Sequence, residues 1–151
     1  MTTINITTQI KAPLNIVFDL NRNIDIHKQS TSKSKETAIA GVTSGLINKG
    51  DTVTWRGKHF GFYLTHKSLI SEMDFHSYFV DEMVSGKFKS FKHQHFFEQE
   101  NEFVIMKDEI NYETPFSIFG NFFDYFILKK HLTNFILERN MFIKNLAENQ
   151  Q

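Results

Sequence analysis

The sequence contains no cysteine, and this absence excludes several kinds of chemistry. Disulfide bonds, zinc sites with cysteine ligands and thiol nucleophiles are all ruled out in these 151 residues. A chain without disulfides suits a reducing compartment, and the N-terminal segment MTTINITTQIK lacks the basic start and apolar block of a secretory signal. We therefore predict a cytoplasmic protein.

Net charge is also absent, because 17 lysine and arginine residues balance 17 aspartate and glutamate residues. No long-range attraction to nucleic acid or to an anionic membrane follows from such a balance, and we predict no nucleic-acid partner. Phenylalanine, in contrast, occurs 17 times. Large flat rings leave gaps unless they interlock closely, so both a roomy interior and a plain phenylalanine-rich core stay open.

Several catalytic motifs are missing in recognisable form, among them nucleophile elbows, cofactor-binding glycine fingerprints and paired carboxylates. The segment GLINKGDT resembles a phosphate-binding loop, but Asp51 stands where that loop needs a lysine. No cofactor is predicted, and enzyme activity is left without direct support.

Strand-like alternation dominates the chain, whose length suits one domain over residues 1–151. Short helices are predicted after Pro13 and over Asn21 to Gln29, both following the first strand. Tight connections between the later strands predict an antiparallel sheet. The predicted strands are Thr3 to Ile10, a segment near Thr37 to Ala40, Thr52 to His59, Tyr63 to Met73, Ser77 to Ser85, Phe88 to Gln99 and Glu102 to Glu113.

The C-terminal segment after Gly120 has no helix breaker and predicts one long helix, too short in its apolar part to span a bilayer. Its apolar start indicates burial on several sides or a contact between subunits, so a homodimer through Phe119, Phe122, Phe123 and Phe126 is an alternative. The face predicted to lie on the sheet is Tyr125, Leu128, Leu132, Phe135, Arg139, Phe142 and Leu146.

The order of elements and four segments of the chain carry a resemblance to a known superfamily. The segments are TVTWRGKHFGFYLTHKSLI, FVDEMVSGKFKSFKHQHFF, MKDEINYETPFSIFG and LTNFILERNMFIKNL. Together they resemble the START-like (SRPBCC) superfamily of polyketide cyclases, lipid-transfer domains and plant pollen allergens, and most of all its bacterial cyclase/dehydrase-like branch. The resemblance implies an α+β helix-grip fold, in which a curved seven-stranded antiparallel sheet surrounds a long C-terminal helix. It also implies either carriage of a lipophilic ligand or catalysis in a cavity.

Two histidines, one residue apart, share the apolar face of a predicted strand. His93 and His95 alternate with Phe91 and Phe97, while Asp108 is the one charge on the inner face of the next strand. A two-residue turn at Glu100 and Asn101 would place His93 opposite Asp108 and His95 opposite Met106, close enough for a hydrogen bond between His93 and Asp108. A register error of one residue would undo the pairing.

Other polar groups are assigned to the interior on weaker grounds. Trp55 and His59 share one strand face, and Arg139 lies in the apolar seam of the helix, where its charge needs a partner. A two-residue turn at Gly86 and Lys87 turns Glu82 inward, whereas a three-residue loop would turn Asp81 inward instead. His66, His76 and His131 are interpreted as ordinary solvated or half-buried residues.

Four uses of these groups remain open. The leading one is binding of a small lipophilic molecule, with His93, Asp108 and Arg139 orienting its polar end. The second is a cyclase or dehydratase in which His93 and Asp108 move protons, and the third is a metal site, which we do not favour. The fourth is mutual satisfaction of the groups in a closed core. The predicted ligand-binding residues are Trp55, His59, Glu82, Phe91, His93, His95, Met106, Asp108, Tyr112, Phe135, Arg139 and Phe142.

Overall fold

Seven β-strands form a single sheet in the computed structural model, which describes residues 1–115 and 122–149. Along the strands Thr2–Ile10 and Phe103–Glu113, buried side chains alternate with more exposed ones, as the sequence pattern predicts for a sheet with one covered face. The strands are β1 (Thr2–Ile10), β2 (Thr37–Gly41), β3 (Thr52–His59), β4 (Phe62–Asp74), β5 (Tyr78–Ser85), β6 (Ser90–Glu100) and β7 (Phe103–Glu113).

Two short helices, α1 (Leu14–Asn21) and α2 (Ile24–Ser30), follow β1, and a 3-10 turn (Ser32–Ser34) leads into β2. The side chain of Asn23 caps α2 by accepting from the backbone N–H groups of Asp25 and Ile26. A π-helical turn (Asp124–Leu128) precedes the long helix α3 (Lys129–Glu148). None of the helices in the described ranges has the length and apolar character that a membrane crossing requires.

The strand order is β1-β7-β6-β5-β4-β3-β2, and all neighbours are antiparallel. Each of the later strands follows its sequence neighbour, while β1 closes against β7, the last strand of the chain. The predicted helix-grip architecture is confirmed. Phe119 lies outside the described residues.

The turn between β6 and β7 differs from the predicted one. It consists of Asn101 and Glu102, with Asn101 in the left-handed region at φ 54°, a conformation that asparagine tolerates well. His95 therefore pairs with Asp108, and His93 pairs with Ile110. Because the register moves by two residues, both histidines keep the predicted inward face.

The connection between β5 and β6 is longer than predicted, and the assignment of Glu82 to the interior is wrong. Residues 86–89 form the loop, so Asp81 pairs with His93 and Glu82 with Lys92. The register moves by one residue and exchanges the two carboxylates. Glu82 makes a half-exposed ion pair with Lys92 at 3.1 Å on the outer face.

The helix α3 covers the sheet with a face rotated from the predicted one. Ile136, Arg139, Asn140, Ile143 and Ala147 are buried, which leaves Phe142 half-buried on the flank. Tyr125 is exposed instead of lying on the sheet, because the π-helical turn inserts an extra residue and shifts the helical phase.

The core divides into two clusters, one at each end of the sheet. One cluster joins α1 and the C-terminal half of α3 to the sheet, and the other joins the start of the helical segment to β1 and β7. The first includes Phe18, Phe97, Met106 and Ile143, and the second includes Ile4, Ile110, Tyr112 and Ile136. Between them the sheet and the helix are not in full contact.

Candidate functional site

A cavity of about 180 Å³ lies between the concave face of the sheet and the helices. This is far more than the roughly 10–15 Å³ that one water molecule needs. Strands β3 to β7 supply its floor and walls, and α2 and α3 supply its cover. The apolar part of the lining includes Val53, Trp55, Ile70, Phe79, Phe91, Ile110, Leu132, Phe135 and Ile136.

His93, His95 and Asp108 form the buried polar cluster at the floor of this cavity. His93 Nε2 lies 2.8 Å from Asp108 Oδ1, and His95 Nδ1 lies 3.0 Å from the same oxygen. The His93 contact is a hydrogen bond, whereas the angle at His95 Nδ1 leaves that atom without one. The two imidazole rings face each other with centroids 3.7 Å apart.

The electrostatics of this cluster favour an anionic Asp108 beside a neutral His95. Burial alone would raise the pKa of Asp108, but the two imidazoles outweigh that effect and hold its pKa well below the usual value. Burial, followed by the neighbouring His93, lowers the pKa of His95 to about 3. Because an ionised carboxylate only accepts hydrogen bonds, His93 donates through Nε2.

The helix α3 completes the cluster through two adjacent polar residues. Asn140 donates from Nδ2 to Asp108 Oδ2 at 2.7 Å and to Thr8 Oγ1 at 3.2 Å. Arg139, which is only 3 % exposed, donates from Nη2 to the backbone carbonyl of Asn21 at 3.0 Å and from Nη1 to Asn140 Oδ1 at 3.4 Å. Within the described residues Arg139 has no direct ion pair, so a buried cation on the cavity wall has only neutral partners.

A second polar cluster lines the opposite side of the cavity. Glu36 accepts from His27 Nε2 at 2.7 Å and from His59 Nε2 at 3.3 Å, and His59 Nδ1 lies 3.1 Å from His131 Nε2. Burial would raise the pKa of Glu36, but the hydrogen bonds from the two imidazoles lower it to about 2. This carboxylate thus links α2 to β3, and His131 continues the chain of contacts to α3.

Two neighbours shape this second cluster. Gly57 leaves the space that the Glu36 side chain occupies, since a Cβ at position 57 would lie 2.7 Å from Glu36 Cγ. Trp55 stacks on the His27 ring with centroids 4.1 Å apart. Trp55 is the only tryptophan in the sequence, and it lines the cavity.

Comparison with known proteins gives structural likeness only. No protein-family model and no curated protein matches the chain. Among solved structures, TTHA0849 from Thermus thermophilus is 14% identical, with a TM-score of 0.75 over 97% of this chain and 99% of that one. The ginseng major latex-like protein 151 from Panax ginseng is 17% identical, with a TM-score of 0.72 over 97% of both chains. A START superfamily protein from Mycobacterium smegmatis is 9% identical, with a TM-score of 0.74 over 99% of both chains.

These matches cover nearly the whole chain and agree with the strand order and the long C-terminal helix. The chain has the START-like fold. The predicted resemblance is therefore confirmed at the level of the fold, while identities below one residue in five leave the ligand and any reaction to be inferred from the site itself.

In this START-like fold, most of the predicted site residues border the cavity. Asp108 lies directly behind that lining, held between the two imidazoles that do line it. The predicted residues on the lining are Trp55, His59, Phe91, His93, His95, Phe135 and Arg139.

Besides Asp108, four predicted residues do not line the cavity. Glu82 faces outward because of the β5–β6 register, and Phe142 lies on the flank of α3. Met106 is packed in the core cluster beneath the C-terminal half of α3. Tyr112 is packed in the other cluster, and its hydroxyl donates to the carboxylate of Asp124. The strand faces of Met106 and Tyr112 were predicted correctly, but their strand positions lie at the two packed ends of the sheet.

Several cavity residues were missed by the sequence analysis. His66 pairs with Trp55 across β3 and β4 and therefore shares its inward face, contrary to our interpretation of it as an ordinary residue. Asp81 also lines the cavity, and its Oδ1 is buried without a hydrogen-bond partner among the described residues. Glu36 and His27 carry no sequence pattern that reveals their position. Asn140 stands directly beside Arg139 in the sequence, and this position is the one signal that could have indicated it.

The buried cluster also has a spacing that a metal ion could bridge, because His93, His95 and Asp108 bring one ligand atom each within 4.8 Å of the others. Two observations oppose that use. The hydrogen bonds of Asp108 to His93 and Asn140 already account for its position. The positive charge of the nearby Arg139 guanidinium, which adds to the larger effects of burial and of His93 in lowering the pKa of His95, would repel a cation. We keep the prediction that the cluster takes no metal.

Proposed function

We propose that the chain binds a small lipophilic molecule in the cavity, with the apolar part of the ligand against the aromatic lining and its polar end at Arg139 and His93. The observation that carries this proposal is a buried arginine on the wall of a largely apolar cavity, with only neutral hydrogen-bond partners among the described residues. Ligand pockets commonly combine a mostly apolar lining with a few convergent polar groups.

The charge of Arg139 indicates the chemistry of the ligand's polar end. A buried guanidinium without a directly bonded carboxylate is costly, and a carboxylate or carbonyl oxygen of the ligand would relieve that cost. Burial lowers the pKa of Arg139, and the carboxylates of Asp108, Asp81 and Glu36 oppose that effect. Because a guanidinium does not lose its proton in proteins, Arg139 stays charged. We expect a ligand with acceptor oxygens at one end, bound in a protein whose predicted compartment is the cytoplasm.

The binding test uses Trp55 as an internal reporter, because it lines the cavity and no other tryptophan is present. Titration with a fluorescent fatty acid should quench Trp55 emission by energy transfer, and a fatty alcohol of the same length should compete less well than the unlabelled acid. Ser68→Leu, which adds bulk to a buried lining residue, should abolish binding. Thr54→Leu is the matched control, since Thr54 lies on the other face of the adjoining strand β3.

Arg139→Gln tests the polar end in the same titration. It should weaken binding of the acid by about tenfold or more, since a charge-assisted hydrogen bond contributes about 1.5–3 kcal/mol, and it should leave the alcohol nearly unaffected. A protein that quenches with neither probe, and that carries no small molecule in native mass spectrometry, would contradict the proposal. Equal loss of binding in Ser68→Leu and Thr54→Leu would also contradict the proposal.

A cyclase or dehydratase is the second candidate function, because His93 and Asp108 form a hydrogen-bonded pair at 2.8 Å beside the cavity. In that case His93, oriented by Asp108, would move a proton on a carbonyl-bearing ligand. Measuring the masses of small molecules before and after incubation with the protein distinguishes ligand binding from cyclase or dehydratase activity. Unchanged masses support binding alone, and conversion that is lost in His93→Phe supports the enzyme.

A further inference from the structure

An exposed apolar surface lies outside the cavity, at the tip of the β3–β4 hairpin and the start of the C-terminal helical segment. Large apolar side chains are exposed there, with Phe62 at 72% and Tyr125 at 77% exposure. Monomeric proteins rarely display a contiguous apolar patch of this kind without a partner. We call it the aromatic surface, and its members are Phe60, Phe62, Tyr63, Phe122, Phe123, Tyr125, Phe126 and Ile127.

Ring contacts join the two segments of the aromatic surface. Phe60 at the hairpin tip packs against Phe123 with ring centroids 5.4 Å apart, and Phe122 and Phe126 pack at 4.7 Å. Tyr125 in turn contacts Phe126 at 4.9 Å. The contact of Phe60 with Phe123 thus joins the hairpin tip to the helix start, and Phe62 and Tyr63 follow the tip at the start of β4.

The hairpin tip presents its aromatic residue against local conformational preference. Phe60 and Gly61 form the turn with φ values of 51° and 83°. Glycine suits such a position, but a phenylalanine there costs on the order of 1–2 kcal/mol relative to glycine or asparagine. The turn thus carries a bulky ring, 45% exposed, where a small polar residue would fold more easily.

Positive charge predominates in the two segments that carry the aromatic surface, although the whole chain has no net charge. Residues 56–67 and 122–137 together contain five lysines and arginines and a single acidic residue, Asp124. Asp124 is buried and accepts hydrogen bonds from Thr2 and Tyr112, so it does not offset the cations at the surface. The five cations are Arg56, Lys58, Lys67, Lys129 and Lys130.

We propose that the aromatic surface docks on an anionic phospholipid bilayer, with the rings in the interfacial region and the five cations at the headgroups. Aromatic side chains partition into the membrane interface, and lysine and arginine beside them gain energy from anionic lipids. A second copy of the chain fits this surface poorly, because a two-fold dimer would bring the same cations against one another.

The position of the aromatic surface places a docked bilayer beside the cavity. Phe60 packs on His131 with ring centroids 4.5 Å apart, and His131 contacts His59, which lines the cavity. A lipophilic ligand would thus have only a short distance to pass between bilayer and cavity. The docking itself does not depend on the binding proposed above, since it uses none of the cavity's lining residues.

The experiment is co-sedimentation of the full chain with vesicles of phosphatidylcholine alone and of phosphatidylcholine mixed with an equal part of phosphatidylglycerol. We expect binding to the mixed vesicles, little binding to the neutral ones, and loss of binding at high salt, which screens exposed charges. Phe62→Ser with Tyr125→Ser should weaken binding at least tenfold, and so should Lys129→Glu with Lys130→Glu. All four side chains are exposed, so these variants should fold.

Matched controls test whether vesicle binding depends on the aromatic surface itself or only on exposed apolar area and net charge. Ile39→Ser with Met141→Ser removes two exposed apolar side chains outside the aromatic surface. Lys49→Glu with Lys107→Glu changes the net charge by the same amount as Lys129→Glu with Lys130→Glu. Both controls should bind as the unaltered chain does. Absence of binding to mixed vesicles would overturn the proposal, and so would equal loss in variants and controls. A concentration-dependent dimer in sedimentation equilibrium that Phe62→Ser with Tyr125→Ser dissociates would assign the surface to a second copy instead.

Discussion

Single residues set the geometry of the second polar cluster, and Gly57 is the clearest example. A strand in the middle of a sheet ordinarily gains from a side chain at every position, yet position 57 has none and the Glu36 side chain occupies the space. Glu36 is thereby held between two imidazoles, one from α2 and one from β3. The absence of a methyl group at Gly57 thus determines where a carboxylate lies in the cavity wall.

Gly57→Ala should destabilise the protein by about 1–3 kcal/mol, because the added methyl group displaces the Glu36 side chain from its histidine partners. In a Glu36→Ala background the same change should cost under about 1 kcal/mol, since the obstructed side chain is gone. Urea unfolding of the unaltered chain, the two single variants and the double variant measures the cost of Gly57→Ala in both backgrounds. An equal cost in the two backgrounds would show that the glycine serves the strand and not the carboxylate.

Secondary-structure elements are fastened to one another by a few polar contacts as well as by apolar packing. The start of the C-terminal helical segment is attached to the sheet through Asp124, which accepts hydrogen bonds from Thr2 in β1 and from Tyr112 in β7. Burial, followed by the Asp124 carboxylate, raises the pKa of Tyr112, so its hydroxyl stays protonated and donates. This contact positions the helical half of the aromatic surface.

Tyr112→Phe should lower the free energy of unfolding by about 1–3 kcal/mol, because it leaves a buried carboxylate oxygen without its donor. Backbone hydrogen exchange should quicken at 124–132 and change little at 140–148, which pack in the other core cluster. Tyr78→Phe is the control, since Tyr78 makes only a long, exposed contact with Glu72 at 3.4 Å. Uniform quickening over both segments would contradict a local fastening role.

Hairpin registers show which part of the site could be predicted at this scale. Alternation assigns His93, His95 and Asp108 to one face, and that assignment holds for any even shift of register. The turn between β5 and β6 shifts the register by one residue and exchanges Asp81 for Glu82. Phe88 of this loop lines the cavity and packs against Phe91 and Tyr112, and local turn chemistry does not reveal such contacts.

At the scale of the whole molecule, the histidines with lowered pKa values include the buried His95 and the half-buried His66 and His131. Burial lowers the pKa of His95 to about 3 and also lowers the pKa values of His66 and His131, with charged neighbours modifying each shift. In the unfolded chain these groups take up protons near pH 6.5, whereas in the folded chain they resist protonation. The folded state therefore binds fewer protons than the unfolded state over this range.

Stability should consequently fall as the pH is lowered from 6.5 to 4.5, because a depressed histidine pKa contributes stability that is present above the unfolded value and lost below it. His95 alone should account for about 2–3 kcal/mol across that window, at about 1.4 kcal/mol per pKa unit. Denaturant unfolding at each pH measures the slope. His95→Gln should reduce the slope of stability against pH, whereas His76→Gln should not, because His76 is exposed. A slope that is unchanged in His95→Gln would contradict the assignment.

The sequence by itself determined the periodic features of this protein: strand alternation, the antiparallel meander, the long terminal helix and the inward face of His93, His95, Asp108, Trp55 and Arg139. These are local properties, because side-chain direction repeats every two residues in a strand and every three to four in a helix. The tertiary structure decided what depends on contacts between distant segments. Glu36 meets His27 and His59 only when α2 covers the sheet, Met106 and Tyr112 fall in packed ends and not at the cavity, and the aromatic surface arises where the hairpin tip meets the helix start.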